Sequence, residues 1–509
     1  MAHPQATDAP RSLDVAIIGA GFAGIAAAIK LRDEGVHSFT IYEQGTDVGG
    51  TWRDNTYPGC ACDIPSHLYS YSFALNPDWS RSYPLQPEIR DYLVRVTDRY
   101  DLWPHIRFGA EITEARLDES SATWTLHTSD GGVHHADVIL NGTGVLSKPS
   151  IPALPGLDTF EGVAFHSARW RADHDLRGRR VAMVGTGASA IQIVPEIAGT
   201  AEHVAVFQRT PPWVMPRFDA PFTAAEQRRF RRFPMLARLH RWRIYVRQEL
   251  LALLVLGQGK VAERVAAAGR DHIAQAIADP LLRAAVTPDY SPGCKRLLIS
   301  NDWYPTLARD DVELVTAGIG EVRPRSIVTD DGVEHPVDTI VFGTGFAATS
   351  FLAPMKVFGV GGVELSEAWS DGAVTHLGLA APGFPNLFLL VGPNTGLGHN
   401  SIVFMIEAQL HYVMGAIRQL AAQAEGTGLE VRPEVAAASY ADVQRRMAST
   451  VWQSGCSSWY QSADGRIDTL WPGLTVDYWR RTRRFVPGDF RELDRRAVAA
   501  DEVQAAART

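Results

Sequence analysis

Two stretches of the chain place glycines where a bound phosphate would need them. The first is Val15-Ala16-Ile17-Ile18 running into Gly19-Ala20-Gly21-Phe22-Ala23-Gly24 and an alanine-rich run to Leu31. The second is Arg180-Val181-Ala182-Met183-Val184 followed by Gly185-Thr186-Gly187-Ala188-Ser189-Ala190. In each, an apolar strand-type run meets a glycine loop that opens a helix-type run. The first glycine makes a tight turn, the second lets backbone N–H groups close on a pyrophosphate, and the helix N-terminus adds partial positive charge. Strand, loop, helix and following strand stand in order in both places, which is the context that makes such a motif specific. The chain is therefore predicted to hold two dinucleotides at once.

The residues beyond each loop say which dinucleotide. Glu43 closes the strand Ser38-Phe39-Thr40-Ile41-Tyr42 about twenty residues past the first loop, where a carboxylate accepts from ribose hydroxyls and repels a 2′-phosphate. That loop suits FAD or NAD. After the second loop the strand His203-Val204-Ala205-Val206-Phe207 ends in Gln208-Arg209-Thr210, and an arginine beside a hydroxyl is what a 2′-phosphate needs, so this site suits NADPH. A disulfide reductase would carry a redox pair two or four residues apart near the flavin. Cys60 and Cys62 have a single residue between them, and all four cysteines, with Cys294 and Cys456, read as small buried hydrophobes without metal spacing.

The elements that must position these groups divide the chain. With 509 residues it can bury two or three cores, and a formal charge of −8 argues against nucleic acid as main partner. Nothing before Val15 resembles a secretory segment, and the longest aliphatic run, Leu250 to Leu256, is too short to span a bilayer, so a reducing, cytoplasmic setting is expected. Residues 1 to about 13 read as a loose tail, within a first FAD-binding part covering 1–148. Its later strands are Ala122 to His127 and Ala136 to Asn141, the latter stopping at Gly142-Thr143-Gly144. Pro149, Pro152 and Pro155 mark a crossover to an NADPH-binding domain, 149–337. That domain carries a helical insertion over about 223–285, where eight arginines from Arg228 to Arg247 alternate with apolar residues and Pro234 should break the helix. A solvated helical face is the expected reading of these arginines, and contact with a membrane or an acidic partner is the alternative. Asp338 to Phe346 again stops at Gly-Thr-Gly, so the FAD domain is expected to resume there and run over 338–509, with a strand in Phe384 to Asn394 and a helix from Ser401 to Ala422. The fold class is α/β, with two Rossmann-like dinucleotide-binding domains.

With these segments in place the chain resembles, over nearly its whole length, the class B flavin monooxygenases, and among them the Baeyer-Villiger monooxygenases that turn ketones into esters or lactones. The most specific segment is Phe160-x-Gly162-x-x-x-His166-x-x-x-Trp170, between the two loops. Arg171 follows where that family has Pro or Asp, which keeps the N- and S-oxygenating sister enzymes open. Gly49-Gly50-Thr51-Trp52, Tyr57-Pro58-Gly59-Cys60-Ala61-Cys62-Asp63, Phe207-Gln208-Arg209-Thr210-Pro211, Gly293-Cys294-Lys295-Arg296 and Trp459-Tyr460 also match.

The resemblance implies that NADPH reduces FAD, that O2 adds at flavin C4a, and that the resulting peroxyflavin attacks a ketone carbonyl. It makes Asp63 and Arg296 the catalytic pair, the guanidinium stabilising the anion and the carboxylate orienting the guanidinium. It sets Gly50, Thr51 and Trp52 beside the flavin with Gly19, Gly21, Gly24 and Glu43. It sets Gly185, Gly187, Ala188, Ser189, Arg209, Thr210 and Lys295 on NADPH, with Trp459 on a loop closing over it. His166 falls at the link between domains, and His399, in Gly396-Leu397-Gly398-His399-Asn400, is expected to be satisfied by backbone. The aromatic stretch Leu68-Tyr69-Ser70-Tyr71-Ser72-Phe73 points to bulky apolar ketones as substrates with O2. A reading of another class stays beside these: a flavin-binding regulatory or peripheral membrane protein without turnover.

Overall fold

The computed structural model describes residues 11–256, 259–455, 458–462 and 464–493. Two five-stranded parallel sheets organise it. The first has the order Leu387–Leu389, Val138–Asn141, Val15–Ile18, Phe39–Glu43, Ile106–Phe108. Val15–Ile18 is buried along its whole length, which is why it is unbroken apolar sequence rather than an alternation. The helices Phe22–Asp33 and Ile402–Ala421 cover one face, and the antiparallel strands Ile112–Asp118, Thr123–Thr128 and Val133–Ala136 pack Ala115, Leu117 and Trp124 against the other. The second sheet has the order Val312–Val315, His203–Phe207, Arg180–Val184, Thr339–Phe342, Val163–His166.

Thr339–Phe342 thus lies inside the second sheet, paired with strands on both sides, and the chain leaves that sheet after Gly345 rather than at Asp338. The reason is symmetry between the units. A Cβ on Gly19 would meet the Gly142 carbonyl oxygen at 2.9 Å, and one on Gly185 would meet that of Gly343 at 2.7 Å. Each Gly-Thr-Gly therefore packs beside the glycine loop of its own sheet. The outgoing and returning crossovers run together: Ser150 N–H donates to Gly345 O at 2.9 Å, and Ala347 N–H to Lys148 O at 3.0 Å.

Other expectations shift at their edges. Residues 1–10 of the expected tail lie outside the described residues, and Arg11 is already tied down, its N–H donating to Ala421 O at 2.9 Å, with Leu13 buried. The strand expected over Phe384 to Asn394 is paired only at Leu387–Leu389, cut short by left-handed backbone at Asn386, Val391 and Asn394. The insertion comprises the helices Ala224–Arg232, Pro234–Val255, Lys260–Ala276 and Pro280–Val286. Pro234 does end one helix, because a proline is tolerated in a first turn where its missing N–H costs nothing.

The solvated basic face holds for seven of the eight arginines and fails for Arg241. That side chain is buried, and its Nη1 donates to the carbonyls of His67, Leu68 and Ser70 at 2.8, 2.9 and 2.8 Å. Burial pulls its pKa down. The loop it holds leads out of the Asp63 segment. Unpaired buried carbonyls are costly, and the insertion helix supplies the donor the loop lacks. Arg241→Met, which keeps the packing and removes the donors, is expected to lower unfolding free energy by about 3 kcal/mol, read as a drop in the urea midpoint at unchanged slope.

Candidate active site

The first glycine loop is built from three different constraints. Gly19 takes φ +95° to make the turn, with its N–H on Tyr42 O at 2.7 Å. A Cβ on Gly24 would fall inside the Gly19 carbonyl group, so helix and strand approach only without one. Gly21 is different. A Cβ there would meet nothing nearer than Gly50 Cα at 3.8 Å, and one on Gly50 would meet Gly21 Cα at 3.2 Å, so the two glycines leave a gap between two backbone loops. That cradle fits a pyrophosphate. Glu43 is buried beside it, accepting from Ala20 N–H (2.8 Å), Gly45 N–H (2.7 Å) and Arg53 Nη1 (2.6 Å). A carboxylate has about four acceptor positions, so one remains for a ribose hydroxyl. Thr51 opens a short helix over the same gap, and Trp52 is held by its Nε1 on the Tyr69 hydroxyl at 3.0 Å.

The second loop repeats the design. Gly185 takes φ +103°, and a Cβ on Gly187 would find its nearest neighbour, Gly343 O, at 3.9 Å. Gly187 and Ala188 are exposed, and Ser189 caps the helix Ala190–Ile197. Thr186 Oγ1 donates to Thr210 O at 3.2 Å, bringing the end of the next strand to the loop. There Arg209 and Lys295 lie close enough that, after burial, the guanidinium is the chief cause of a lowered Lys295 pKa. Two cations drawn together without a carboxylate between them fit an anion such as a 2′-phosphate.

Between the loops lies the contact that spacing could not predict. Arg296 donates from Nε and Nη2 to the same oxygen, Asp63 Oδ2, at 2.9 and 2.6 Å, and from Nη1 to Leu397 O at 3.3 Å. The guanidinium is gripped on two sides, and two of its five N–H groups stay uncommitted. Asp63 raises its pKa against the opposing effect of burial. The segment carrying Asp63 is fixed to the second unit by Gln192, which donates to Ala61 O at 3.1 Å and accepts from the Tyr57 hydroxyl at 3.1 Å. Gly59 is required there, because its Cβ would strike Gln192 O and the Glu196 side chain.

The model of flavin-binding monooxygenase-like proteins matches residues 12–240. A Baeyer-Villiger monooxygenase of Streptomyces coelicolor is 46% identical over 480 residues, covering 94% of this chain and 92% of that protein. The chain belongs to the Baeyer-Villiger monooxygenase family. An oxidized steroid monooxygenase bound to NADP superposes with a TM-score of 0.83 at 33% identity, covering 92% of this chain and 97% of that one. OTEMO in complex with FAD and NADP gives 0.85 at 28%, covering 95% and 100%. As a member of this family the protein is an enzyme, an FAD- and NADPH-dependent monooxygenase that converts ketones to esters or lactones.

Several residues of this monooxygenase stand elsewhere than the sequence led one to expect. Tyr460, adjacent to the exposed Trp459, is buried against Arg296, and burial pushes its hydroxyl up to about 12 while the guanidinium opposes. Its only signal was the Trp-Tyr pair. Of the aromatic run from Leu68, Tyr69 lies near the Asp63–Arg296 pair, whereas Tyr71 packs inward on Phe22 and Phe73. His166 sits at the crossover, its ring 5.6 Å from that of Phe346 and its Nδ1 accepting from Ala168 N–H. Gly162 in the same motif leaves room for Asp338 O. Cys60, Cys62 and Cys294 are buried, and Cys456 lies outside the described residues.

His399 is not satisfied by backbone. Its side chain is fully buried with Nε2 3.7 Å from Glu249 Oε1, and Glu249 also accepts from Thr475 Oγ1 (2.6 Å) and Asn400 Nδ2 (2.7 Å). Burial pushes the Glu249 carboxyl up, but these contacts and the Val476 N–H outweigh it and bring it to about 2. The insertion helix thus pins the turn whose Leu397 carbonyl holds Arg296.

A Gly21→Val enzyme is expected to fold, since its Cβ meets open space, yet to purify colourless because the side chain fills the phosphate cradle; circular dichroism and flavin absorbance check both halves. Glu249 contributes stability fully present above its unfolded value of about pH 4.3 and lost as pH falls toward its folded value. In Glu249→Gln the thermal midpoint should therefore start lower at neutral pH and fall less steeply on acidification than in the wild type.

Proposed function

We propose that FAD occupies the loop at Gly19, NADPH the loop at Gly185, and a bulky apolar ketone the space beside Arg296. Bound FAD, reduced by NADPH, supplies activated oxygen from O2. The residues of the chain do the rest. Arg296 keeps a fixed positive charge where negative charge develops on the oxygen transferred and on the substrate carbonyl, and its two uncommitted N–H groups are the donors. Asp63 and the Leu397 carbonyl orient it, so no reorganisation is needed as charge appears. Tyr69 and Tyr460, both near the pair, favour an apolar substrate and exclude water. Arg209, Thr210 and Lys295 take the 2′-phosphate, with Trp459 closing over the cofactor.

The observation that carries this reading is the guanidinium fixed on a single carboxylate oxygen between the two glycine loops. Arg296→Ala should retain FAD and reduction by NADPH but lose ketone oxygenation by about a hundredfold or more in kcat, assayed by product mass spectrometry across linear, cyclic, aryl and steroidal ketones. Asp63→Ala should lose less, because it acts through the arginine. Thioether oxidation surviving alongside undiminished ketone turnover in Arg296→Ala would reject the role given to the guanidinium. Arg209→Ala should raise KM for NADPH about tenfold or more and leave that for NADH nearly unchanged, since a charge-assisted contact is worth about 1.5–3 kcal/mol.

A further inference from the structure

The long insertion helix Pro234–Val255 has two faces, and the wrong one is apolar. Its inward face buries Ala237, Arg241, Gln248 and Ala252. Its outward face carries Met235, Leu239, Trp242, Val246, Leu250 and Leu253, spaced four, three, four, four and three residues apart, so that they form one line along the helix. Met235 is 68%, Trp242 58%, Leu250 61% and Leu253 58% exposed. At 1.5 Å per residue the line runs about 27 Å. Solvent-facing helical positions are normally polar, and an exposed apolar stripe of this extent marks an interaction surface.

The charges bordering the stripe select its occupant. Arg238, Arg243 and Arg247 are exposed along its edges, and Arg228, Arg229 and Arg232 are exposed on the preceding helix. Among the described residues none of these six makes an ion pair; Arg231 alone of the exposed set does, with Asp78. The two acids on these helices are committed elsewhere, Glu226 to the Thr223 cap and Glu249 to the interior. A local cluster of positive charge thus stands on a chain of net charge −8. Pairing the stripe with itself in a second copy would set arginines against arginines. An anionic lipid surface meets both requirements, taking the apolar line between acyl chains and the guanidinium groups at the headgroups, with Trp242 at the boundary its indole favours.

We propose that this monooxygenase docks on anionic membrane surfaces through the outward face of Pro234–Val255, lying in the interface without crossing it. Among the described residues no helix is long and apolar enough to cross. The inference is independent of the ketone used.

The FAD-loaded enzyme is to be sedimented with vesicles of phosphatidylcholine alone and of about seven parts phosphatidylcholine to three parts phosphatidylglycerol. It should pellet with the second at low salt, not with the first, and be released by added salt. Replacing Arg238, Arg243 and Arg247 by Gln should weaken binding about a hundredfold. Trp242→Ser with Leu250→Ser should abolish it while turnover of a water-soluble ketone stays unchanged. Absence of pelleting with the anionic vesicles, or equal pelleting of the Trp242→Ser, Leu250→Ser enzyme, overturns the proposal. So does a dimer in analytical ultracentrifugation that this double variant dissociates, which would assign the stripe to a second copy.

Discussion

One ion pair brings the parts of the molecule into a common frame. Asp63 and Arg296 are 233 residues apart in sequence, and each hangs from a different sheet system: Asp63 from the segment after the first glycine loop, Arg296 from the end of the insertion. A third segment, at Leu397, closes the contact. Holding a guanidinium to within tenths of an ångström requires that all three segments be fixed relative to one another. Much of the packing between the units serves that requirement. Gln192 ties the Asp63 segment to the second sheet, Arg241 holds the loop that leads out of it, and Glu249 holds the turn beneath Leu397.

The two dinucleotide loops show how the same physics recurs without any contact between the copies. Left-handed backbone is needed at Gly19 and Gly185, where the chain turns at a sheet edge with a Gly-Thr-Gly carbonyl against it. Open space is needed at Gly21 and Gly187. What differs between the loops is the end of the next strand. Glu43 is absorbed into a local network that leaves one acceptor position, while Arg209 and Lys295 face each other unneutralised. Nucleotide preference is therefore set by two strand ends and not by the glycines.

This explains what could be read from the sequence. The loops were legible because their conformational demands are local and only glycine meets them. The helical insertion and its break at Pro234 were legible for the same reason. The return point was misplaced because Gly142-Thr143-Gly144 and Gly343-Thr344-Gly345 occupy equivalent places in different sheets, and sheet membership depends on pairing partners that the segment itself does not encode. Asp63 with Arg296 came only through family likeness, since no spacing joins them. Tyr460, Glu249 and the backbone partner of Arg296 escaped for that reason as well. Arg241 was hidden by its charge: a guanidinium reads as solvent-facing until the three carbonyls that require it are seen.

Arg241 and the outward stripe are two sides of one inversion. A helix that packs against irregular loops must offer them donors and acceptors, because loop carbonyls and amides have no strand or helix partners of their own. Polar residues such as Arg241, Gln248 and Glu249 are therefore drawn to the inner face of Pro234–Val255, where Gln248 also donates to His399 O at 3.3 Å. Packing thus accounts for the buried polar face and leaves the apolar outer face unexplained. Stability alone would favour polar residues outside, since exposed Trp242 and Leu250 gain nothing from burial in the isolated protein. A selective reason for that face has to come from what it touches, and the helix that presents it is the one whose inner side fixes the surroundings of Arg296.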